Sequence, residues 1–245
     1  MNAIENNEFH RAWRGLGERL VQPSAVLCIS AHWETHGLRV TSSAAPATIH
    51  DFHGFPEALF RVRYPAPGDP TLAAGVSALT GAVPDPERGL DHGAWSVLRA
   101  MFPDARVPVV QLSLDRERAP ADMLQLGRRL APLRADRVLI LGSGNVVHNL
   151  GRMDWNQQDG FGWAGVFLGK VKDRIRADDA DALTNWPALG PEAALAVPTA
   201  EHFLPLLPVL GARAPGESAD FLTDRAVNGS IGMTSVLLGG ATVRA

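Results

Sequence analysis

The sequence predicts an α/β fold: a single-domain sandwich with a central, mostly parallel or mixed sheet flanked by helices. Three observations point to it. Short apolar runs rich in β-branched residues, such as Ala25-Val26-Leu27-Cys28-Ile29, read as strands buried on both faces. Segments with apolar residues at helical spacing alternate with those runs. No internal repeat and no shift of composition marks a linker, so residues 1–245 read as one domain, long enough to bury a sizeable core.

In chain order, residues 8–20 put Phe9, Trp13, Leu16 and Leu20 on one face with charges opposite, an amphipathic helix. A strand over 25–31 follows, then a short one over 38–41. The connection 45–70 carries Pro46, Pro56, Pro65, Pro67 and Pro70, two histidines and three phenylalanines. A long, ordered connection of this kind inside a compact domain is usually functional. Residues 70–79 and 94–101 read as helices and 107–114 as a strand. A helix over 121–133 aligns Leu126, Leu130 and Leu133, and 137–142 is a further buried strand running into Gly142-Ser143-Gly144-Asn145. Helices are predicted over 163–175 and over 200–210, the second capped by Thr199. Residues 220–238 give two strands around Asn228-Gly229-Ser230.

Composition narrows the function. The net charge of −3 without a basic run gives no footprint for nucleic acid or an anionic membrane. No window holds the roughly 18 consecutive apolar residues of a spanning helix. The start, Met1-Asn2-Ala3-Ile4-Glu5, is polar and acidic rather than a signal peptide. The single Cys28 provides neither a disulfide nor a thiolate metal site, so a reducing cytoplasm is the expected location.

Eight histidines carry the chemical interest. His10, among arginines, and His36 read as surface. His32 ends the first strand, where open α/β sheets place their ligands; the same position suits a core histidine bonded to a backbone carbonyl, and the strand alone favours that plainer reading. His148 follows a turn whose glycines admit close approach of a ligand. That turn suggests a phosphate cradle, but residue 147 is Val and no Lys follows, so neither nucleotide fingerprint is met. His202 is expected in the first turn of its helix, where the dipole keeps imidazole neutral and suited to a metal. His92, in Leu90-Asp91-His92-Gly93, stands beside a carboxylate able to orient its ring. There is no His-Glu-x-x-His, Cys-x-x-Cys or Gly-x-Ser-x-Gly. Histidines at several strand ends are compatible with a divalent metal without establishing one, and imidazole favours iron or zinc over magnesium or calcium.

The ordered set of segments is more specific than any one of them. Ser30-Ala31-His32-Trp33, Thr48-Ile49-His50-Asp51-Phe52, Gly54-Phe55-Pro56 and Tyr64-Pro65-Ala66-Pro67-Gly68 come first. Asp91-His92-Gly93-Ala94-Trp95, Pro108-Val109-Val110-Gln111-Leu112-Ser113, Gly142-Ser143-Gly144-Asn145-Val146-Val147-His148-Asn149-Leu150 and Pro198-Thr199-Ala200-Glu201-His202 follow. Together they resemble the class III extradiol ring-cleavage dioxygenases of the LigB superfamily, in the 4,5-DOPA extradiol dioxygenase branch, from residue 1 to about residue 239.

The resemblance implies one non-haem divalent metal held by histidines, Fe(II) for catalysis or Zn(II) as isolated, with a small aromatic diol and O2 as substrates and a muconic semialdehyde as product. By motif, His32 and His202 carry over as metal ligands. His148 carries over either as a ligand or as the acid–base histidine, and His92 as a catalytic residue lining the cavity. His50, Asp51, Tyr64 and Pro67 would shape the substrate cavity, and His53 falls at a variable position. Members of the family begin with a strand ending in His-Gly-Ser-Pro, whose histidine is a further ligand. The resemblance therefore implies a chain that starts just past that ligand, with an incomplete metal site. A non-catalytic or zinc-bound relative of the Memo type shares the fold and is the competing reading; a metal-dependent hydrolase is the third.

Overall fold

A computed structural model describes residues 2–239, which gather into two compact units. One comprises residues 2–117 and 132–143, the other 118–131 and 144–239. The chain passes between them three times, so no single cut in the sequence separates them. That is why composition shows no linker and the chain reads as one domain.

The first unit holds α1 (Glu8–Arg19), β1 (Ala25–Thr35), β2 (Arg39–Thr41), α2 (Glu57–Phe60), α3 (Pro70–Thr80), β3 (Val83–Asp85), α4 (His92–Met101), β4 (Val109–Asp115) and β5 (Val138–Ser143). Its sheet runs in the order β3-β2-β4-β1-β5, parallel at every pairing except β2 with β4. This is the mixed, mostly parallel sheet flanked by helices that the alternating pattern predicts. β4 is buried along its whole length and β1 over its first seven residues, as two-sided coverage demands. The strand over 137–142, expected to be buried, is the edge strand β5, and only Val138 in it is fully buried. β3, three residues including Pro84, is too short and polar for its sequence to announce it.

β1 also differs from expectation. It continues to Thr35, so His32 lies within the strand rather than past its end. The ladder to β4 jumps from Ile29↔Leu112 to Glu34↔Leu114, leaving Ser30 to Trp33 opposite Ser113 alone. Extra residues on one strand bend it and re-aim its side chains, a device frequent beside active sites.

The connection 45–70 is ordered. Thr48 bridges Leu90, Thr48 Oγ1 accepts the Tyr64 N–H (2.9 Å), and the Pro67 carbonyl accepts the Val109 N–H (2.8 Å). α4 starts two residues earlier than its apolar pattern suggests, because Asp91 caps it by accepting the Ala94 N–H at 3.0 Å.

The second unit holds α5 (Pro120–Leu130), α6 (Gly162–Arg176), α7 (Ala180–Leu183), α8 (Ala193–Ala196), α9 (Leu206–Gly211), β6 (Ala219–Leu222), β7 (Ala226–Val227), β8 (Ile231–Gly232) and β9 (Ser235–Leu238). Its core gathers Leu126, Phe167, Leu168, Val171, Phe203 and Leu207. α5 and α9 cross closely: a Cβ on Gly127 would stand 2.1 Å from the Pro208 carbonyl oxygen, and one on Gly211 2.1 Å from that of Leu124. Each of the two strands expected on either side of Asn228-Gly229-Ser230 is split in two: β6 pairs antiparallel with β9, and the short β7 with β8.

The helix expected over 200–210 is a correction. Residues 198–200 form bends and 201–205 turns, and α9 begins only at Leu206. Pro205 has no N–H to give the carbonyl four residues back, so one continuous helix cannot pass through it. Thr199 Oγ1 donates to Glu201 Oε1 (2.8 Å) instead of capping. His202 therefore has no helix N-terminus to keep it neutral. No helix among the described residues is long and apolar enough to cross a membrane.

Candidate functional site

The histidines picked out by sequence fall into two clusters, one in each unit. In the first unit, His32 from the β1 bulge, Asp51 from the long connection and His92 at the start of α4 each place a donor atom within 4.8 Å of the others. The two imidazole centroids are 3.9 Å apart with planes tilted by 45°. Asp51 Oδ1 accepts the His92 backbone N–H at 2.9 Å, and Asp51 Oδ2 stands 4.0 Å from His32 Nδ1. His92 Nδ1 is 3.0 Å from Asp51 Oδ1, but off the direction a hydrogen bond requires, so this buried nitrogen lacks an aligned partner.

Burial alone would raise the Asp51 carboxyl. The side-chain and backbone contacts from His92, together with the charge of that ring, outweigh burial and bring the pKa down to about 2. Asp51 is thus a carboxylate across the working pH range. Phe52 flanks the cluster, edge-on to His92 at 5.3 Å and 4.7 Å from Phe60. An aromatic wall of this kind lowers the local dielectric and offers rings to a flat ligand.

In the second unit, His148, Glu201 and His202 also bring donor atoms within 4.8 Å of one another. The His148 and His202 rings stack, centroids 3.4 Å apart and planes 9° apart. The backbone locks them in place: the His148 N–H donates to the Ala196 carbonyl (2.9 Å), and the Asn145 N–H to the His202 carbonyl (2.8 Å). Gly144 has to lack a side chain, since a Cβ there would stand 2.2 Å from the His202 carbonyl oxygen. The glycine turn is thus closed by His202, and the phosphate-cradle reading has no support in it.

The tautomer of His202 follows from its neighbours. Asn145 Nδ2 donates to the Gly232 carbonyl (2.6 Å), which orients the amide so that Oδ1 faces His202 Nδ1 at 3.1 Å. An amide oxygen only accepts, so Nδ1 carries a proton, and in the neutral ring the lone pair is on Nε2. Burial lowers the pKa of His148, against the opposing pull of the Glu201 carboxylate, so its ring favours the neutral, proton-accepting form.

The other sequence-predicted residues sit as follows. His50 Nε2 donates to the Val62 carbonyl (3.0 Å), 5.9 Å from the Phe52 ring between centroids. Tyr64 is buried in the same core cluster as Phe52, and its hydroxyl donates to the Phe102 carbonyl (3.1 Å). Pro67 is exposed and tethers its loop to β4. Cys28 is fully buried; burial, and secondarily the Asp91 charge, push its thiol up and keep it protonated. Sequence reasoning missed Glu201, Asn145 and the closeness of Asp51 to His32. The one local signal for the first two was their adjacency to His202 and to the glycine turn.

The donor sets fit a divalent cation. Two imidazoles with a carboxylate suit iron or zinc. In the first unit, the buried His92 Nδ1 and the ionised Asp51 are groups a cation would satisfy. In the second, the Asn145 contact prepares the His202 ring as a ligand.

Comparison with known proteins agrees with this chemistry. The family described as "Catalytic LigB subunit of aromatic ring-opening dioxygenase" matches residues 3–239. A protein of Escherichia coli strain K12 named 4,5-DOPA dioxygenase extradiol is 42% identical over 248 residues, covering 98% of this chain and 91% of that protein. A protein of the same name from Beta vulgaris is 34% identical, covering 91% of this chain and 86% of its own. The crystal structure of an uncharacterized protein from Escherichia coli K12 matches with a TM-score of 0.83 and 36% identity, over 95% of this chain and 93% of that one.

Proposed function

The chain belongs to the LigB family of aromatic ring-opening dioxygenases, and on that premise we propose that it is a metal-dependent extradiol dioxygenase acting on a catechol of the DOPA type. Both atoms of O2 enter the ring beside its hydroxyls, and the product is a muconic semialdehyde. The observation that carries this reading is that the histidines singled out by the family motifs stand in two donor clusters, His32 and His92 with Asp51, and His148 and His202 with Glu201.

A bound ferrous ion supplies open positions for the catechol oxygens and dioxygen and a path for electrons between them; zinc fits the same donors without that redox capacity. By the family motifs His32 and His202 are ligands of that one ion. His148, neutral by burial, takes the second catechol proton and returns it as the ring opens, unless it serves as a ligand. His92, held by Asp51, offers a hydrogen bond to substrate or oxygen. Phe52 and Phe60 keep water from the reacting ring, while His50, Asp51, Tyr64 and Pro67 shape its surroundings.

The test is oxygen uptake with formation of a yellow product when protein reconstituted anaerobically with Fe(II) meets DOPA and other catechols. Metal analysis of His32→Ala and His202→Ala, run alongside, reports the contribution of each cluster to metal binding. Absence of turnover with every catechol, in protein that retains its metal, overturns the dioxygenase reading in favour of a binding protein of the same fold.

A further inference from the structure

Beneath the first cluster lies a buried polar network that the roles above do not use. Asp91 is completely buried, as are Ser30 and Gln111. Its Oδ1 accepts the Ser30 hydroxyl (2.8 Å) and the Ala94 N–H (3.0 Å). Its Oδ2 accepts Gln111 Nε2 (2.8 Å) and Arg88 Nη2 (3.4 Å). The Asp91 N–H in turn donates to Gln111 Oε1 at 2.9 Å. A buried carboxylate this fully bonded is costly to assemble and rigid once made.

The network converges on His32. A carboxylate can only accept, so the Ser30 hydroxyl directs its hydrogen to Asp91 and turns its lone pairs elsewhere; one receives the His32 N–H at 3.2 Å. On the other side, Arg88 Nη2 donates to the His32 carbonyl at 3.3 Å while its guanidinium lies 5.3 Å from the centre of the Trp33 ring. The N–H and the C=O of His32 are therefore each held by a group bound to a different oxygen of one carboxylate. This happens where β1 faces Ser113 alone and regular pairing to β4 is interrupted.

Asp91 also caps α4, whose first residue is His92. Gly93 closes the packing: a Cβ there would stand 2.4 Å from Ser30 Oγ and 2.9 Å from His32 Cδ2.

We propose that Asp91 is the positioning residue of the His32–His92 pair, fixing the backbone of one through Ser30 and Arg88 and the helix start of the other through its cap. Asp91 touches no reacting atom and acts through those neighbours. The proposal rests on the reading that His32 binds the metal, and its test keeps the two apart.

The experiment compares Asp91→Asn, Ser30→Ala and the core variant Val76→Ala, a residue of α3 that is fully buried and outside the network. The ring 15N signals of His32 and His92 are recorded in metal-free protein, assigned through His→Gln variants, and Co(II) affinity is measured by competition. Asp91→Asn retains a capping side chain and similar shape but lacks the acceptor pair that holds Ser30 and Gln111. The expected result is that Asp91→Asn and Ser30→Ala shift the ring signals and weaken Co(II) binding by about 10- to 100-fold. Val76→Ala should lower Tm while leaving both readouts at wild-type values. If Asp91→Asn and Ser30→Ala lower Tm yet leave the ring signals unchanged, Asp91 only stabilises the fold and the proposal fails. Shifted rings with unchanged Co(II) affinity would leave the positioning role standing and remove His32 from the metal ligands.

Discussion

His148 and His202 stand face to face at 3.4 Å, nearly parallel. Two imidazoles that close repel each other strongly when both are charged, so the pair carries at most one positive charge comfortably. Burial of His148 favours the neutral form of that ring, which keeps two charges from facing each other.

Removing the His148 ring tests its part in the reaction. His148→Ala should lower kcat by about 10²- to 10⁴-fold, the range for loss of a general acid–base group, with a much smaller change in KM. Steady-state kinetics on iron-loaded protein check this. A parallel loss of bound metal, seen by elemental analysis, would instead assign His148 as a ligand.

Asn145 should matter although it offers no metal ligand in this reading. Asn145→Ala removes the acceptor that fixes the His202 tautomer, and zinc affinity by chelator competition should fall about 10- to 100-fold. Retention of full affinity would show that His202 needs no such partner or binds no metal.

Tyr64 provides a clean optical readout, because it is the single tyrosine in the chain. Burial raises its pKa well above the usual value of 10.0, so tyrosinate absorbance should not appear in the folded protein as pH passes 10. The stabilisation linked to this group is complete below about pH 10 and is lost as pH rises beyond it. Tyrosinate should therefore appear together with alkaline unfolding. A phenol titrating near pH 10 with the fold intact, by far-UV circular dichroism, would contradict its burial.

On the acid side Asp51 has the opposite sign. Its pKa of about 2 lies below the ordinary 3.8, so its contribution is present above about pH 4 and is lost as pH falls toward 2. In metal-free protein this amounts to roughly 1–2 kcal/mol, allowing for its partial contact with solvent. Asp51→Asn should flatten that part of the pH–stability curve measured by denaturant unfolding between pH 5 and 2.

Much of this architecture is legible from sequence because it is local. The run Ala25–Ile29 and the β4 segment around Val109 and Val110 are apolar enough to announce buried strands, and Asp69 and Gly81 bracket α3 with ordinary cap chemistry. The histidines stand out because they sit beside glycines and strand ends. What escaped notice depends on partners distant in the chain. The β1 bulge is a property of its register with β4, and no pattern within β1 encodes it. Asp51 is drawn to His92 by folding of the long connection. The helix over 200–210 failed for a different reason: the apolar spacing of Phe203, Leu207 and Leu210 is helical, but Pro205 vetoes the hydrogen bond that spacing requires.

The interleaving of the two units has a consequence for synthesis. The ribosome makes α5 before β5, so the second unit has begun before the sheet of the first is complete. The mate of α5 is α9, whose Pro208 and Gly211 fit its close-packed face, and α9 emerges about 80 residues later. At typical translation speeds the nascent chain carries α5 for roughly 4–16 s before that mate exists. During that interval Met123, Leu124, Leu126 and Leu130, all buried in the finished protein, form an apolar stripe suited to a chaperone.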